Sequence, residues 1–132
     1  MQILVPYLVA AATFIVADLI WLGYIAKDFY YREMGRLLAD SFSIAPAVAF
    51  YLLYIAALVY FAVLPALRSG QWQDAIIPGA ILGLTAYGTY DLTALAVVRD
   101  WPLRLSLVDM AWGTILSALS ASVAAYVVTR SL

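Results

Sequence analysis

The chain has 132 residues, of which 67% are hydrophobic and 11% charged, and its net charge at pH 7 is −1. Soluble domains carry about 25% charged residues, so a mean hydropathy of +0.98 excludes a soluble globular protein. The slightly negative charge argues against nucleic acid as a partner. Cysteine and histidine are both absent, which excludes disulfides, thiol nucleophiles, imidazole catalysis and the usual zinc, copper and haem ligands. Any metal would need oxygen ligands, and the sequence indicates no particular metal, cofactor or catalytic residue.

Four stretches of the sequence are long and apolar enough to cross a membrane, for which a helix needs about 20 residues. They are residues 3–26, 44–67, 75–98 and 103–128. The first stretch lacks the basic start and the small-residue cleavage site of a signal peptide, so it is predicted to be retained. Little of the chain remains outside these four stretches. The sequence therefore predicts an all-α polytopic membrane protein, with residues 1–132 forming one four-helix transmembrane domain in contact with the lipid bilayer.

The segment 28–43 is too polar to span the membrane. Charged residues recur there every four positions, at Asp28, Arg32, Arg36 and Asp40. The apolar or aromatic residues that gather on another side are Tyr30, Met34, Leu37, Leu38 and Phe42. This period predicts a short amphipathic helix in the membrane interface. Such a helix could be a hinge between the first two spans, or a lid or lipid-contacting element.

The basic residues predict the orientation of the chain. The connections after the first and third spans carry five of them, Lys27, Arg32, Arg36, Arg99 and Arg104. The opposite side carries only Arg68 and Arg130. Cytoplasmic connections are enriched in lysine and arginine. The sequence therefore predicts a multi-pass protein of the bacterial inner membrane with both termini outside.

Small residues recur every four positions on the last two spans. Gly79 and Gly83 lie on the third span, and Gly113, Ser117 and Ala121 lie on the fourth. Small residues let membrane helices approach closely. The third and fourth spans are therefore predicted to be the tightest pair, although the same surface could form the contact of a homodimer.

Three aspartates interrupt the predicted spans, at Asp18, Asp91 and Asp109. A charged side chain at the centre of a membrane helix costs roughly 2.5 to 3.5 kcal/mol, so such residues usually face a cavity or a partner. All three lie about 9–12 Å from the predicted inner ends of their helices, at 1.5 Å per residue. This common depth predicts one shared pocket in the inner half of the bundle.

Aromatic residues accompany these aspartates. Trp21 and Trp112 each follow an aspartate by three residues and so share its helix face. Because the first and fourth helices are antiparallel, the two indoles are expected to close the pocket from below and above. Tyr87 and Tyr90 add phenol groups near Asp91. Carboxylates with aromatic faces suit a small cation or a cationic head group, and without it at least one of the neighbouring carboxyls should hold a proton.

Two alternatives remain at this point. The aspartates could be hydrogen-bonded contacts that hold the helices together, although such bonds contribute on average only about 0.6 kcal/mol. Alternatively, Lys27, Arg99 and Arg104 could reach inward as fixed counterions, and the aspartates would then belong to a structural salt-bridge network.

Five short strings of the sequence resemble a known family. They are Ala17–Gly23 (ADLIWLG), Phe50–Tyr54 (FYLLY), Tyr87–Thr93 (YGTYDLT), Trp101–Leu103 (WPL) and Val108–Thr114 (VDMAWGT). Together they resemble a bacterial membrane family catalogued as domain of unknown function 2177. The resemblance covers nearly the whole chain and includes the three aspartates and their tryptophans. It implies a small four-span inner-membrane protein, and it implies no established activity.

Three functions fit these features. The preferred one is the binding or transport of a small cation or cationic head group, with protons competing for the aspartates, and transport would require a homodimer because four helices enclose little room. A component of a lipid-metabolising enzyme is the second, although no pairing of a nucleophile with a base is visible in the sequence. The third is a non-catalytic accessory subunit. Whether the protein is an enzyme stays open.

Overall fold

The computed structural model describes residues 3–39 and 43–131, and within them all regular secondary structure is helical. Four helices are long and apolar enough to cross a membrane. We call them spans one to four, and they comprise Leu4–Ile25, Ile44–Ser69, Trp72–Val97 and Leu103–Ser131. This architecture confirms the prediction of an all-α polytopic membrane protein.

The spans are divided into shorter helical elements. Span one consists of α1 (Leu4–Ile20) and a π-helical turn (Trp21–Ile25). Span two consists of α3 (Ile44–Leu58), a second π-helical turn (Val59–Val63) and α4 (Leu64–Ser69). Span three consists of a 3₁₀ turn (Trp72–Ala75) and α5 (Ile76–Val97), and span four is the single helix α6 (Leu103–Ser131).

The interfacial helix is shorter than the sequence pattern predicts. This helix, α2, covers Lys27–Met34 and is followed by one 3₁₀ turn, Gly35–Leu37. Gly35, which follows the last residue of this helix, has φ +49°, a backbone conformation that residues with a Cβ rarely adopt. The charge periodicity continued to Asp40 and the apolar stripe to Phe42, and both residues lie outside the described part of the chain.

Span four lies at the centre of the bundle. Half of the residues in its most apolar stretch are buried, whereas 17% are buried in the corresponding stretch of span one. The difference arises because span four packs along both span one and span three. The core around it contains the fully buried side chains of Phe14, Leu58, Val63 and Leu116. Residues carried by span four are therefore in a position to meet partners from every other span.

Spans three and four approach each other closely, as their small residues predicted. A Cβ added at Gly83 would lie only 2.7 Å from the Cβ of Ser117, and one at Gly79 would lie 3.0 Å from the Ser117 carbonyl oxygen. A Cβ added at Gly113 would collide with the Tyr87 ring. Glycine is needed at these positions because the neighbouring helix occupies the space of a side chain.

The first half of span two stands away from the rest of the bundle. Every residue from Ile44 to Phe50 is exposed, and the buried residues of α3 begin at Tyr54. The backbone of α3 approaches span one, whereas spans three and four are approached mainly by the turn Val59–Val63. The helices therefore leave a wedge-shaped gap between the halves of span two and span three that lie next to the interfacial helix.

Candidate functional site: two acidic cavities with aromatic walls

Two adjoining cavities occupy the half of the bundle next to the interfacial helix. The first, of about 320 Å³, lies between the interfacial helix and the adjacent ends of spans three and four. The second, of about 340 Å³, lies in the wedge beside span two. Both have Leu22, Tyr90 and Asp109 in their walls. Their volumes fall at the lower end of the range for small-molecule sites, roughly 300–1,000 Å³.

Asp109 stands at the junction of the two cavities and is bound by the interfacial helix. The Tyr30 hydroxyl donates a hydrogen bond to Oδ1 of Asp109 at 2.7 Å. Tyr30 in turn accepts a hydrogen bond from Nε1 of Trp21 at 3.2 Å. Burial and the charge of Asp109 raise the pKa of the Tyr30 hydroxyl above its usual value, so Tyr30 stays a hydrogen-bond donor.

Asp18 has two hydrogen-bond donors. The Tyr51 hydroxyl donates to Oδ2 at 2.5 Å, and Nε1 of Trp112 donates to Oδ1 at 3.0 Å. The Asp18 side chain is buried and lies in the wall of the second cavity. These bonds connect span one to spans two and four, so Asp18 has the surroundings of a satisfied structural carboxylate.

Trp21 and Trp112 do not close a pocket from two sides, as the sequence led us to expect. Their rings stack on each other, with centroids 4.4 Å apart and planes inclined by 9°. Each tryptophan follows its aspartate by three residues, and the two helices are antiparallel. The two indoles therefore lie on opposite sides of their aspartates along the bundle and meet between the two carboxylates. A continuous series of contacts results, from Asp18 through the stacked indoles and Tyr30 to Asp109.

Asp91 differs from the other two aspartates. It is fully buried, and neither carboxyl oxygen has a hydrogen-bond partner among the described residues. Its backbone carbonyl accepts a bond from the Ser106 hydroxyl at 2.8 Å, and Nε1 of Trp101 donates to that hydroxyl at 2.9 Å. The first cavity is lined by both Asp91 and Asp109. The backbone of Asp91 is thus held in place, while its carboxyl is buried at the wall of the first cavity without a donor among the described residues.

The two tyrosines predicted near Asp91 line different walls. Tyr90 contributes to both cavities and packs edge-to-face on Trp101, with ring centroids 5.7 Å apart. Tyr87 contributes only to the second cavity, and its ring rests on Gly113. Tyr90, Trp101 and Tyr30 therefore share the wall of the first cavity with Asp91 and Asp109.

The basic residues are not counterions of the membrane aspartates in the part of the chain that the structure describes. Its two ion pairs are Arg104 with Glu33, at 3.3 Å, and Arg36 with Asp100, at 2.7 Å. Lys27 lies in the wall of the first cavity, but its Nζ is placed over the Tyr31 ring, 5.9 Å from the centroid. The ion pairs instead connect the interfacial segment to the start of span four and to the turn before it.

The single shared pocket expected from sequence is thus divided in two. Asp91 and Asp109 share the first cavity, and Asp18 and Asp109 share the second. Within residues 3–39 and 43–131, no three acidic side chains are grouped so that they could hold a metal ion. Tyr30, which binds the carboxylate of Asp109, is the important addition to the predicted residues. The only sequence signal for Tyr30 was a phenol on the apolar side of the interfacial helix.

Replacing Tyr30 with phenylalanine should lower the free energy of unfolding by about 1.5–3 kcal/mol, the usual contribution of a hydrogen bond to a charged group. Tyr31→Phe is the matched control, because Tyr31 is an exposed neighbour and should change stability by less than about 0.5 kcal/mol. Chemical unfolding of both variants in detergent micelles measures the difference. Equal stability of the two variants would show that the bond from Tyr30 to Asp109 contributes nothing.

Comparison with known proteins places the chain in a family. A family model described as "Predicted membrane protein (DUF2177)" matches residues 3–126. No curated protein and no solved structure is significantly similar to the chain. The match includes all four spans up to the last residues of span four, and with them the three aspartates and both cavities. The chain therefore belongs to the DUF2177 family of predicted membrane proteins.

Proposed function

We propose that this membrane protein binds a small cation or a cationic head group between Asp91 and Asp109, in exchange for a proton. One observation carries the proposal: Asp91 is completely buried in the wall of a cavity, and its carboxyl has no hydrogen-bond partner among the described residues. Buried polar groups are normally hydrogen-bonded. A carboxyl without such a bond is suited to a ligand that supplies the missing positive charge.

The exchange with a proton follows from the proximity of two acids. Asp91 and Asp109 share one cavity, and two ionised carboxylates at close range repel each other. Without a ligand, a proton on one of them removes that repulsion. A bound cation removes it as well, so the proton and the cation compete for the same charge. Lower pH should therefore weaken cation binding.

The aromatic walls favour an organic cation. Tyr30, Tyr90 and Trp101 are among the residues that line the first cavity. A cation on an aromatic face gains about 0.5–1 kcal/mol at exposed sites and about 2 kcal/mol when it is desolvated. The cavity is also large enough for a small molecule. An ammonium group with organic substituents would use both the carboxylates and the rings.

Asp18 has a different role in this proposal. Its two hydrogen bonds satisfy its carboxylate and hold spans one, two and four together. We therefore assign the ligand to Asp91 and Asp109. Trp112 donates a hydrogen bond to Asp18, and Trp21 donates one to Tyr30, which in turn binds Asp109. This division also separates the proposal from an accessory-subunit role, in which all three aspartates would be structural.

The placement of the protein in the cell is a further part of the proposal. The basic residues of the two inner connections support a bacterial cytoplasmic membrane, with both termini outside and the cavities near the cytoplasmic face. Movement of a cation across the membrane would need a second copy of the chain, because one copy has four helices of which the fourth fills the centre. Binding alone requires one copy.

Thermal unfolding in detergent tests the proposal with tetramethylammonium, ethylammonium, sodium and magnesium ions as probes. A cation at one hundred times its Kd should stabilise the wild-type protein by about 2.7 kcal/mol. Asp91→Asn and Asp109→Asn should abolish this stabilisation. Asp74→Asn should retain it, because Asp74 is exposed and lies at the opposite end of span three.

The pH dependence gives an independent check. The apparent Kd of the organic cation should rise as the pH is lowered, and the Asp74→Asn variant should follow the wild type. The proposal is wrong if no organic cation stabilises the folded wild-type protein. It is equally wrong if Asp91→Asn and Asp109→Asn respond as the wild type does.

A further inference from the structure

We infer that the ligand is an amphiphile, an ammonium group carrying an alkyl chain, which reaches the acidic pair sideways from the bilayer through the second cavity. The inference rests on the proposed cation site and adds to it the class of ligand and its route. It is carried by the wedge beside span two, by the apolar lining of that wedge and by the position of Asp109.

The second cavity opens between two membrane-spanning helices. Ala47 and Phe50 of span two form one side of the gap, and Ala86 and Tyr90 of span three form the other. Ala47, Phe50 and Tyr90 are all exposed. Because both helices cross the membrane, a gap between their inner halves faces the hydrocarbon of the bilayer. Lipid chains are therefore the molecules in direct contact with this opening.

The depth of the cavity matches one leaflet. Ala47 lies three residues from the inner end of span two, or about 5 Å, at 1.5 Å per residue. Ala86 lies eleven residues from the inner end of span three, or about 16 Å on the same measure. Half of the hydrocarbon thickness of a bilayer is about 15 Å. An alkyl chain in this cavity would stay at the depth at which lipid chains already lie.

The wedge is held open by rigid aromatic side chains. The Phe14 ring of span one packs edge-to-face on Tyr51 and on Tyr54 of span two, with centroids 5.6 Å apart in both pairs. The hydrogen bond from Tyr51 to Asp18 holds the same two spans at this separation. These contacts fix span two against span one, and on the side of span three the Tyr54 ring packs edge-to-face on the Tyr87 ring with centroids 6.4 Å apart, whereas glycines let spans three and four touch. The cavity is therefore preformed.

The two cavities meet at an acid. Asp109, Tyr90 and Leu22 belong to both walls, so a molecule with its ammonium group at Asp91 and Asp109 can extend its chain into the second cavity. Apart from Asp109 and from Asp18, which already has two donors, the lining of that cavity consists of alanine, leucine, phenylalanine and tyrosine. A small hydrated ion would gain nothing from such walls, and an alkyl chain would be well accommodated by them.

Binding of ethylammonium and octylammonium to the protein in lipid nanodiscs tests the inference, with thermal unfolding as the readout. Each buried methylene group contributes about a fourfold gain in affinity. Burial of only part of the longer chain should therefore let octylammonium stabilise the wild-type protein at concentrations at least about tenfold lower. Octanol, which lacks the charge, should not stabilise it.

Substitution at the wedge separates binding in the cavity from simple partition into the bilayer. Ala47→Phe should fill the cavity and reduce the advantage of octylammonium at least about fivefold, while ethylammonium binds as before. Ala49→Phe is the matched control, because Ala49 is equally exposed on span two but does not line either cavity, and it should keep the full advantage.

The outcomes distinguish the two proposals. If ethylammonium and octylammonium bind equally well, or if Ala47→Phe and Ala49→Phe both keep the full advantage, the amphiphile inference is overturned and the cation site stands. If neither amine stabilises the wild-type protein, the proposed function has failed and the inference fails with it.

Discussion

Replacing Gly113 with alanine should lower the free energy of unfolding by about 1–3 kcal/mol, the range for inserting an atom into a filled interior. The added Cβ would overlap the ring of Tyr87, which rests on this glycine. To make room, either the ring must leave the wall of the second cavity or spans three and four must separate. Intrinsic helix propensity works in the other direction, because alanine is favoured over glycine inside a helix by roughly 1 kcal/mol.

Gly23→Ala provides the comparison. No atom lies within 4 Å of a Cβ added at Gly23, so this variant should be as stable as the wild type or more stable by up to about 1 kcal/mol. Unfolding of both variants by increasing mole fractions of a denaturing detergent measures the difference. Stabilisation by both substitutions would refute the close contact of spans three and four at Gly113.

Asn substitutions should affect Asp18 and Asp91 differently, although asparagine has nearly the same shape as aspartate. Asp18 accepts hydrogen bonds from Tyr51 and Trp112 on different oxygens. Asparagine has only one acceptor oxygen, so its amide group would face a donor. Leaving a buried donor without a partner costs about 1–3 kcal/mol, and Asp18→Asn should be destabilised by this amount.

Asp91→Asn should lose no hydrogen bond, since none of the described residues donates to the Asp91 carboxyl and the asparagine amide can donate to Asp109 as a protonated carboxyl would. Its stability without a ligand should equal or exceed that of the wild type, and only the response to cations should disappear. Thermal unfolding of the two variants side by side, with and without tetramethylammonium, measures both effects. If Asp91→Asn is destabilised as much as Asp18→Asn, Asp91 is a structural residue like Asp18 and the accessory-subunit role becomes the better explanation.

Several features of the fold were predictable because they depend on short stretches of the chain. The existence of each span follows from the length of an apolar run. The close pairing of spans three and four follows from the spacing of Gly79, Gly83 and Gly113, since only small residues permit such an approach. The three aspartates were conspicuous because charged residues are rare inside membrane helices.

The partners of these aspartates could not be predicted in the same way. Tyr30 and Asp109 are 79 residues apart in sequence, and their contact depends on how the interfacial helix folds back under the bundle. The stacking of Trp21 on Trp112 depends on the rotation of two antiparallel helices about their axes. The end of the interfacial helix depends on one backbone angle at Gly35. Neither the hydropathy of the chain nor the spacing of its residues specifies these contacts or this backbone angle.

The sequence by itself determined that this is a four-span membrane protein with three acids at similar depths in its spans, because hydropathy and charge act locally along a helix. Only the tertiary structure decided that the acids are unequal. Asp18 has its own donors, Asp109 is bound by the interfacial helix, and Asp91 has no donor among the described residues. That difference arises from the rotation and tilt of the helices, which depend on the contacts of all four spans at once. The separation of span two from the rest of the bundle, which creates the second cavity, also depends on the contacts of all four spans.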